Sequence, residues 1–353
     1  MLGIRLTPQT VKQWKRFRSI KRGYYSVIIV LLLLVASIFA ELLVNSRALI
    51  VKYDGEYFFP TYADFIPGDT FGLDYQYETN YRELKAALAA RGEVAAEDWV
   101  LLPPVPFNPY ETDFRTDSFP PYAPSWSAQH YLGTDITGRD ILARLVYGFR
   151  LAMAFAIILL ACNYIVGIAL GCAMGFWGGL FDLLFQRLIE IWSNVPFLYV
   201  IMIVASVVVP SFWTLVIAMV IFGWMGMTWY MRTSTYKERA REYVMAARAL
   251  GASNVRIVFR HILPNTIAII VTFIPFSIAT GVTALTALDY LGFGLPPPTP
   301  SWGELLGQGT SNLNAPWIVT SVVAAMTAVL LMVAYVGEAI REAFDPKTFS
   351  YYA

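Results

Sequence analysis

The residues that could do chemistry are few in this sequence, and their spacing does not suit catalysis. There is no G-x-x-x-x-G-K-[ST] segment to hold nucleotide phosphates, and neither G-x-G-x-x-G nor H-E-x-x-H occurs. Gly251 and Ser253 begin like a serine-nucleophile turn, but Val255 stands where the final glycine should be. Cys162 and Cys172 lie in one apolar run and are expected to be small packing residues. We therefore predict a non-catalytic chain with no metal or cofactor of its own.

The composition points to the membrane. Of the 353 residues, 57% are hydrophobic and only 14% are charged, and the mean hydropathy is +0.53. Soluble domains carry roughly 25% charged residues. This composition excludes a soluble globular enzyme and a disordered chain, because only lipid can solvate so much apolar surface.

Six stretches are apolar enough to cross a bilayer as helices of roughly 20 residues. They are residues 24–44, 151–174, 188–209, 212–231, 267–288 and 318–336. The predicted fold is an all-α polytopic membrane protein. Ionisable residues in or beside these spans lie near their ends, at Glu41, Arg187, Glu190 and Asp289. Their scarcity at mid-depth argues against a proton- or sodium-coupled carrier.

The basic residues predict the orientation. The segment before the first span and the loop between the fourth and fifth spans are both basic, so both are expected to be cytoplasmic. The loop after the first span is rich in acids and is expected outside, so His130 and His261 would lie on opposite sides of the membrane. The first apolar run is too long for a cleaved signal peptide and is expected to remain as an anchor.

This topology divides the chain into five parts. We expect a cytoplasmic amphipathic segment at 1–23, a first span at 24–44, a small folded external (periplasmic) insert at 45–146, a core of five spans at 147–346 with a cytoplasmic loop at 232–265, and a cytoplasmic tail at 347–353.

The cytoplasmic loop contains the most informative pattern. Tyr243, Ala246, Ala247 and Leu250 have the spacing of one helix face. Gly251 then stands where a helix C-cap is expected, and Pro264 suits the first turn of the next span. From spacing alone, an amphipathic helix lying on the membrane surface is an equally good interpretation.

The loop resembles the coupling loop, or EAA motif, of binding-protein-dependent ABC importer permeases. The matches are Ala246, Ala247, Gly251, Ile262, Leu263 and Pro264, with Met245 in place of the glutamate. In that family the helix docks into a cleft on the ATPase subunit and transmits its closure. The resemblance therefore implies ATPase contacts from Tyr243, Ala246, Ala247, Ala249, Leu250, Gly251, Ala252, Leu263 and Pro264.

Further motifs narrow the resemblance. The run that contains Gly133, Thr134, Asp135, Gly138, Arg139 and Asp140 is similar to a signature of the "C" permease subunits of oligopeptide, dipeptide and nickel importers. The segments 291–296, 300–303 and 337–346 also match. Residues 51–60 resemble the YejE-type branch, which imports peptides and the peptide antibiotic microcin C.

The resemblance implies a type I ABC importer permease in a bacterial inner membrane. Its expected partners are a second, related permease, ABC ATPase subunits that bind ATP and Mg²⁺, a periplasmic peptide-binding protein and the lipid bilayer, but no nucleic acid. The alternatives are a dipeptide or nickel importer and a secondary transporter that needs no ATPase. The sequence identifies no residue of the substrate path.

Overall fold

The computed structural model describes residues 8–91, 97–115 and 118–344. The predicted tail at 347–353, the end of the last motif at Asp345 and Pro346, and the first seven residues lie outside this part of the chain. The helices are α1 (Pro8–Ser19), α2 (Lys21–Ile38), α3 (Ala40–Leu43), α4 (Tyr81–Arg91), α5 (Ile141–Trp177), α6 (Gly179–Ser193), α7 (Phe197–Val207), α8 (Phe212–Gly223), α9 (Met225–Arg239), α10 (Glu242–Ala249), α11 (Asn254–Ile257), α12 (Leu263–Tyr290), α13 (Trp302–Ser311) and α14 (Pro316–Phe344).

Within the described residues, five uninterrupted helical stretches are long and apolar enough to cross a membrane, and a sixth span results if α6 and α7 form one span. The span predicted at 188–209 is broken into two helices, because α6 and α7 meet at a bend of 68°. Pro196 lies at the break, where its ring and missing N–H prevent a continuous helix.

The second span begins earlier than predicted. Helix α5 starts at Ile141, inside the segment assigned to the insert, because the Asp140 side chain accepts a hydrogen bond of 2.7 Å from the Ala143 N–H and caps the helix. Its first turns contain Arg144, which the protein buries completely. Because Arg144 is charged, the apolar run in the sequence begins after the start of the helix.

The insert has a small core of its own. Strands β1 (Ile50–Tyr53), β2 (Glu56–Phe58) and β3 (Trp99–Leu101) form an antiparallel sheet in the order β2-β1-β3. Helix α4 and the sheet enclose a cluster that includes Val51, Phe71, Tyr81, Leu84 and Leu88. Burial raises the pKa of the Tyr81 phenol to about 12.

Three glycines bring α5 against α9. A Cβ atom added at Gly171 would lie 2.6 Å from the Thr228 carbonyl oxygen, and one added at Gly175 would lie 2.5 Å from that of Arg232. Gly167 meets the same helix one turn earlier, against the Trp224 carbonyl oxygen. Only glycine permits two helix backbones to approach this closely.

Helix α1 packs against the last span. The Phe17 ring is buried against Ala339 and Ala343, and Arg16 forms an ion pair with Glu342 at 3.7 Å. The amphipathic segment predicted at the N-terminus therefore uses part of its apolar face to contact α14, and the first spanning helix begins directly after it, at Lys21.

Candidate coupling surface

Helix α10 ends in a closed cap. Gly251 has a φ of +79°, a backbone conformation that costs little only for glycine. The Gly251 N–H donates to the Arg248 carbonyl oxygen and the Ala252 N–H donates to that of Ala247, both at 3.0 Å. This pair of bonds is the Schellman motif, and it confirms the predicted helix stop at Gly251.

One face of α10 anchors it to the rest of the chain. Val244 and Ala247 are buried in a cluster with Phe176 from the end of α5, Ile257 from α11 and Ile262. The Tyr243 hydroxyl donates to a Glu238 carboxylate oxygen at 2.7 Å, and burial together with this bond raises the pKa of the Tyr243 phenol. The helix is thus fixed to the ends of two membrane spans.

The opposite face of α10 is exposed and consists mainly of apolar residues, with the exposed Glu242 among them. Met245 is 56% exposed and Leu250 is 88% exposed, and Ala246, Ala249 and Gly251 are exposed beside them. A Cβ atom added at Gly251 would meet nothing within 4 Å. We call Met245, Ala246, Ala249, Leu250 and Gly251 the coupling surface. Large apolar side chains exposed together at one place typically mark a site of contact with another protein or with the membrane.

The residues predicted to contact the ATPase differ in how exposed they are. Ala247 points into the chain, because α10 needs it and Val244 to hold its position. Leu263 packs near Cys172 and Met231 and is half-buried, as are Tyr243 and Ala252. Met245, which the sequence marked only as a departure from the motif, lies on the exposed face instead.

Helices extend into both ends of the segment 232–265, which the sequence predicts as the cytoplasmic loop. Helix α9 continues to Arg239, and the next spanning helix already begins at Asn254. A π-helical turn at Val258–Ile262 precedes Pro264, and the Leu263 N–H donates to the Val258 carbonyl oxygen. Because Pro264 has no N–H to donate, the wider turn lets the helix continue past it.

The signature residues form a buried turn at the start of α5. One Asp135 carboxylate oxygen accepts from the backbone N–H groups of Thr137 and Arg139 at 2.9 and 3.0 Å. The other accepts from Arg139 Nε at 2.7 Å. Gly133 and Gly138 have φ values of +78° and +82°, which the tight turn requires. These residues therefore build structure.

Two further charges complete this turn, and the sequence analysis missed both. Arg144 donates to a Glu304 carboxylate oxygen and to the Pro109 carbonyl oxygen. Burial lowers the pKa of Arg139, but the carboxylates of Asp135 and Glu304 outweigh it, and its pKa is raised overall. Two guanidinium groups thus face two carboxylates. In the sequence, Arg144 stands at the edge of an apolar run, and this position is the signal that could have marked it as a buried charge.

This chain has relatives among known families and proteins. The profile of the family described as "Binding-protein-dependent transport system inner membrane component" matches residues 167–350. The inner membrane ABC transporter permease protein YejE of Escherichia coli K12 is 40% identical, and the alignment covers 97% of this chain and 98% of that protein.

Two other relatives have similar names. The peptidoglycan transport system permease protein YejE of Agrobacterium fabrum is 37% identical over 97% of this chain and 94% of its own length. The dipeptide transport system permease protein DppC of Haemophilus influenzae is 33% identical over 69% of this chain and 83% of its own. A structure of the MetNI methionine ABC transporter in an inward-facing conformation overlaps with a TM-score of 0.47 at 14% identity, covering 58% of this chain and 98% of that chain.

Proposed function

The chain belongs to the binding-protein-dependent inner-membrane components of ABC importers, as its motifs predicted, and we propose that it conducts peptides into the cell without catalysing any reaction itself. It is a multi-pass inner-membrane permease subunit. The energy comes from ATP, which with Mg²⁺ is bound and hydrolysed by partner ATPase subunits. The exposed coupling surface on α10 is the observation that carries this proposal.

The coupling surface offers an ATPase subunit an apolar contact on a rigid support. Leu250 projects from the cap of α10, while Val244 on the other face is locked against Ile257 of α11. Helix α11 continues through the π-turn into α12, which spans the membrane. A movement imposed on α10 is therefore passed to the path itself. The ATPase can favour one state only by contacting α10 differently in the two states.

The relatives' names support peptides as the substrate class. One full-length relative is named for peptidoglycan transport and a partial one for dipeptide transport. Short peptides, including those released from peptidoglycan and antibiotics of the microcin C type, share the same main chain. A nickel importer is the alternative to be tested beside them.

The orientation proposed here places α10 in the cytoplasm and the insert in the periplasm. The basic residues around α1 and α9 support it, because cytoplasmic flanks are enriched in arginine and lysine. A periplasmic peptide-binding protein would then deliver substrate on the side of the insert. A second, related permease would complete the path.

Uptake by proteoliposomes tests this function. The permease pair and ATPase are reconstituted with the binding protein outside and ATP with Mg²⁺ inside, and entry of radiolabelled tri-alanine is followed. We expect uptake with ATP and none with a non-hydrolysable analogue. Uptake that is independent of ATP, or ATP-driven entry of ⁶³Ni²⁺ without entry of peptide, would contradict the proposal.

A further inference from the structure

A cavity of about 250 Å³ lies among three spanning helices. Its wall comes from α5, from the junction of α8 and α9, and from α12. The polar residues that line it are Asn163, Tyr164, Tyr230, Ser277 and Thr280. All five lie in the inner parts of long spans rather than at their ends. No charged residue lines it, among those that the structure describes.

Three of the five polar side chains of this cavity are hydrogen-bonded within the protein, and the Thr280 hydroxyl donates to the Phe276 carbonyl oxygen at 2.9 Å. The Tyr164 hydroxyl and the Ser277 hydroxyl are 2.9 Å apart and share one hydrogen bond. The Asn163 side chain makes no hydrogen bond to the described residues; its Oδ1 atom is buried, whereas its Nδ2 atom keeps accessible surface. Because Nδ2 is a hydrogen-bond donor without a partner, a peptide carbonyl oxygen that enters the cavity can accept from it.

Glycines make the space for this arrangement. A Cβ atom added at Gly223 would lie 2.4 Å from the Asn163 side-chain nitrogen, so the carboxamide lies directly against that backbone. A Cβ atom added at Gly226 would meet nothing within 4 Å. Gly226 therefore borders open volume, and a larger side chain there would enter the cavity without displacing the protein.

The chemistry of the lining favours a main-chain amide. A carboxamide offers an acceptor and two donors, and a peptide group offers one donor and one acceptor, so the two are complementary. Hydroxyl groups can donate or accept as required. An uncharged lining has no means of selecting charged side chains, whereas every peptide carries the same backbone.

We propose that this cavity is a binding site for the backbone of a peptide in transit, with Asn163 as the residue that hydrogen-bonds to its amide. This proposal rests on the proposed function. It adds the place in the path where the peptide binds and a reason why peptides with different side chains can be transported. The site selects the peptide group, and the binding protein selects the sequence.

Cysteine labelling tests the site directly. In a chain with Cys162 and Cys172 replaced by alanine, Gly226→Cys is treated with a small water-soluble thiosulfonate in the reconstituted complex. We expect saturating tri-alanine and binding protein to slow labelling at least fivefold. Ile165→Cys, on α5 but outside the cavity, is the control and should show no protection by peptide. Equal labelling of Gly226→Cys with and without peptide would overturn the proposal.

Transport by variants gives the second test. Gly226→Leu fills the cavity and Asn163→Leu removes the carboxamide at similar size. Each should lower ATP-driven uptake of tri-alanine, tri-lysine and tri-glutamate by a similar factor of at least ten, relative to the amount of assembled complex. Wild-type rates in both variants would refute the site while leaving the importer function intact. Absence of ATP-driven uptake by the wild type would refute the function instead.

Discussion

The Arg139 Nη2 atom donates to a Glu304 carboxylate oxygen at 2.8 Å, although 165 positions separate the two residues in sequence. The bond joins the turn before α5 to α13, the short helix between the last two spans. Arg144 reaches the same carboxylate group from the first turns of α5. The signature of this family branch therefore folds into a buried clamp between distant parts of the chain.

Neutralising one member of this clamp should destabilise the protein strongly. Glu304→Gln leaves two buried guanidinium groups facing one carboxylate, and removal of one partner from a buried pair costs about 3–5 kcal/mol. We expect a clear fall in the midpoint of thermal unfolding in detergent. Arg187→Gln is the control, because the Arg187–Glu190 pair is exposed and such pairs contribute about 0–1 kcal/mol. Equal effects of the two substitutions would contradict the clamp.

A paired substitution separates charge balance from the loss of contacts. Arg144→Met combined with Glu304→Leu removes one positive and one negative charge and leaves Asp135 with Arg139. We expect this double variant to be more stable than Glu304→Gln alone, because buried pairs replaced by apolar residues are often neutral. A double variant that unfolds at a lower temperature than Glu304→Gln would show that the cluster is not held by charge balance.

Much of the fold and site followed from sequence, for reasons that particular residues make clear. The apolar runs located the five uninterrupted candidate spans and the bent pair of α6 and α7, because lipid demands the same pattern wherever a helix crosses. Gly251 marked the end of α10, since only glycine readily adopts the required backbone conformation.

The remainder depended on long-range packing. No local pattern pairs Glu304 with Arg139 or Arg144. The spacing of Tyr243, Ala246, Ala247 and Leu250 suggested that they share one contact face of the helix. In the structure, Ala247 is instead buried with Val244 in the core of the chain. The polar cavity is lined by residues from three helices. No short segment of the sequence shows how these helices are placed relative to one another.

Close packing of α5 on α9 predicts intolerance at Gly171. Gly171→Leu would force a side chain into the Thr228 backbone, where the added Cβ atom alone comes within 2.6 Å of the carbonyl oxygen. We expect little folded protein in fluorescence-detected size-exclusion chromatography. Gly307→Ala is the control, since its Cβ atom would have ordinary contacts at 3.9 Å and should be tolerated. A normal elution profile for Gly171→Leu would contradict this packing.

The cap of α10 predicts a transport defect without loss of the fold. Gly251→Asp places a charge on the coupling surface, where an apolar partner is expected, and should lower peptide uptake at least tenfold with normal membrane insertion. Gly292→Asp is a matched control, because Gly292 also has a positive φ, of +78°, and open space around it. Equal losses of uptake in the two variants would indicate backbone strain rather than a lost contact.

The orientation predicts which side of the membrane each exposed residue faces. Tyr62 is 70% exposed in the insert and Tyr236 is 63% exposed near the end of α9, outside the coupling surface. In a chain without other cysteines, a membrane-impermeant maleimide should label Tyr62→Cys in intact spheroplasts and Tyr236→Cys only after permeabilisation. The reverse pattern would place the insert in the cytoplasm and overturn the topology.

Binding of the ATPase at the coupling surface is the central claim, and Mg²⁺-dependent ATP hydrolysis by the affinity-purified chain measures it most directly. The tagged wild-type chain, isolated from its own membrane in mild detergent, should carry an ATP-hydrolysing subunit. The Leu250→Asp variant should co-purify with less than a tenth of that ATPase activity at an equal amount of folded chain. The Arg187→Gln variant, which is changed at an exposed residue, should co-purify with the full activity. Equal activity with Leu250→Asp, or peptide uptake by a wild-type chain that carries no ATPase, would contradict the account.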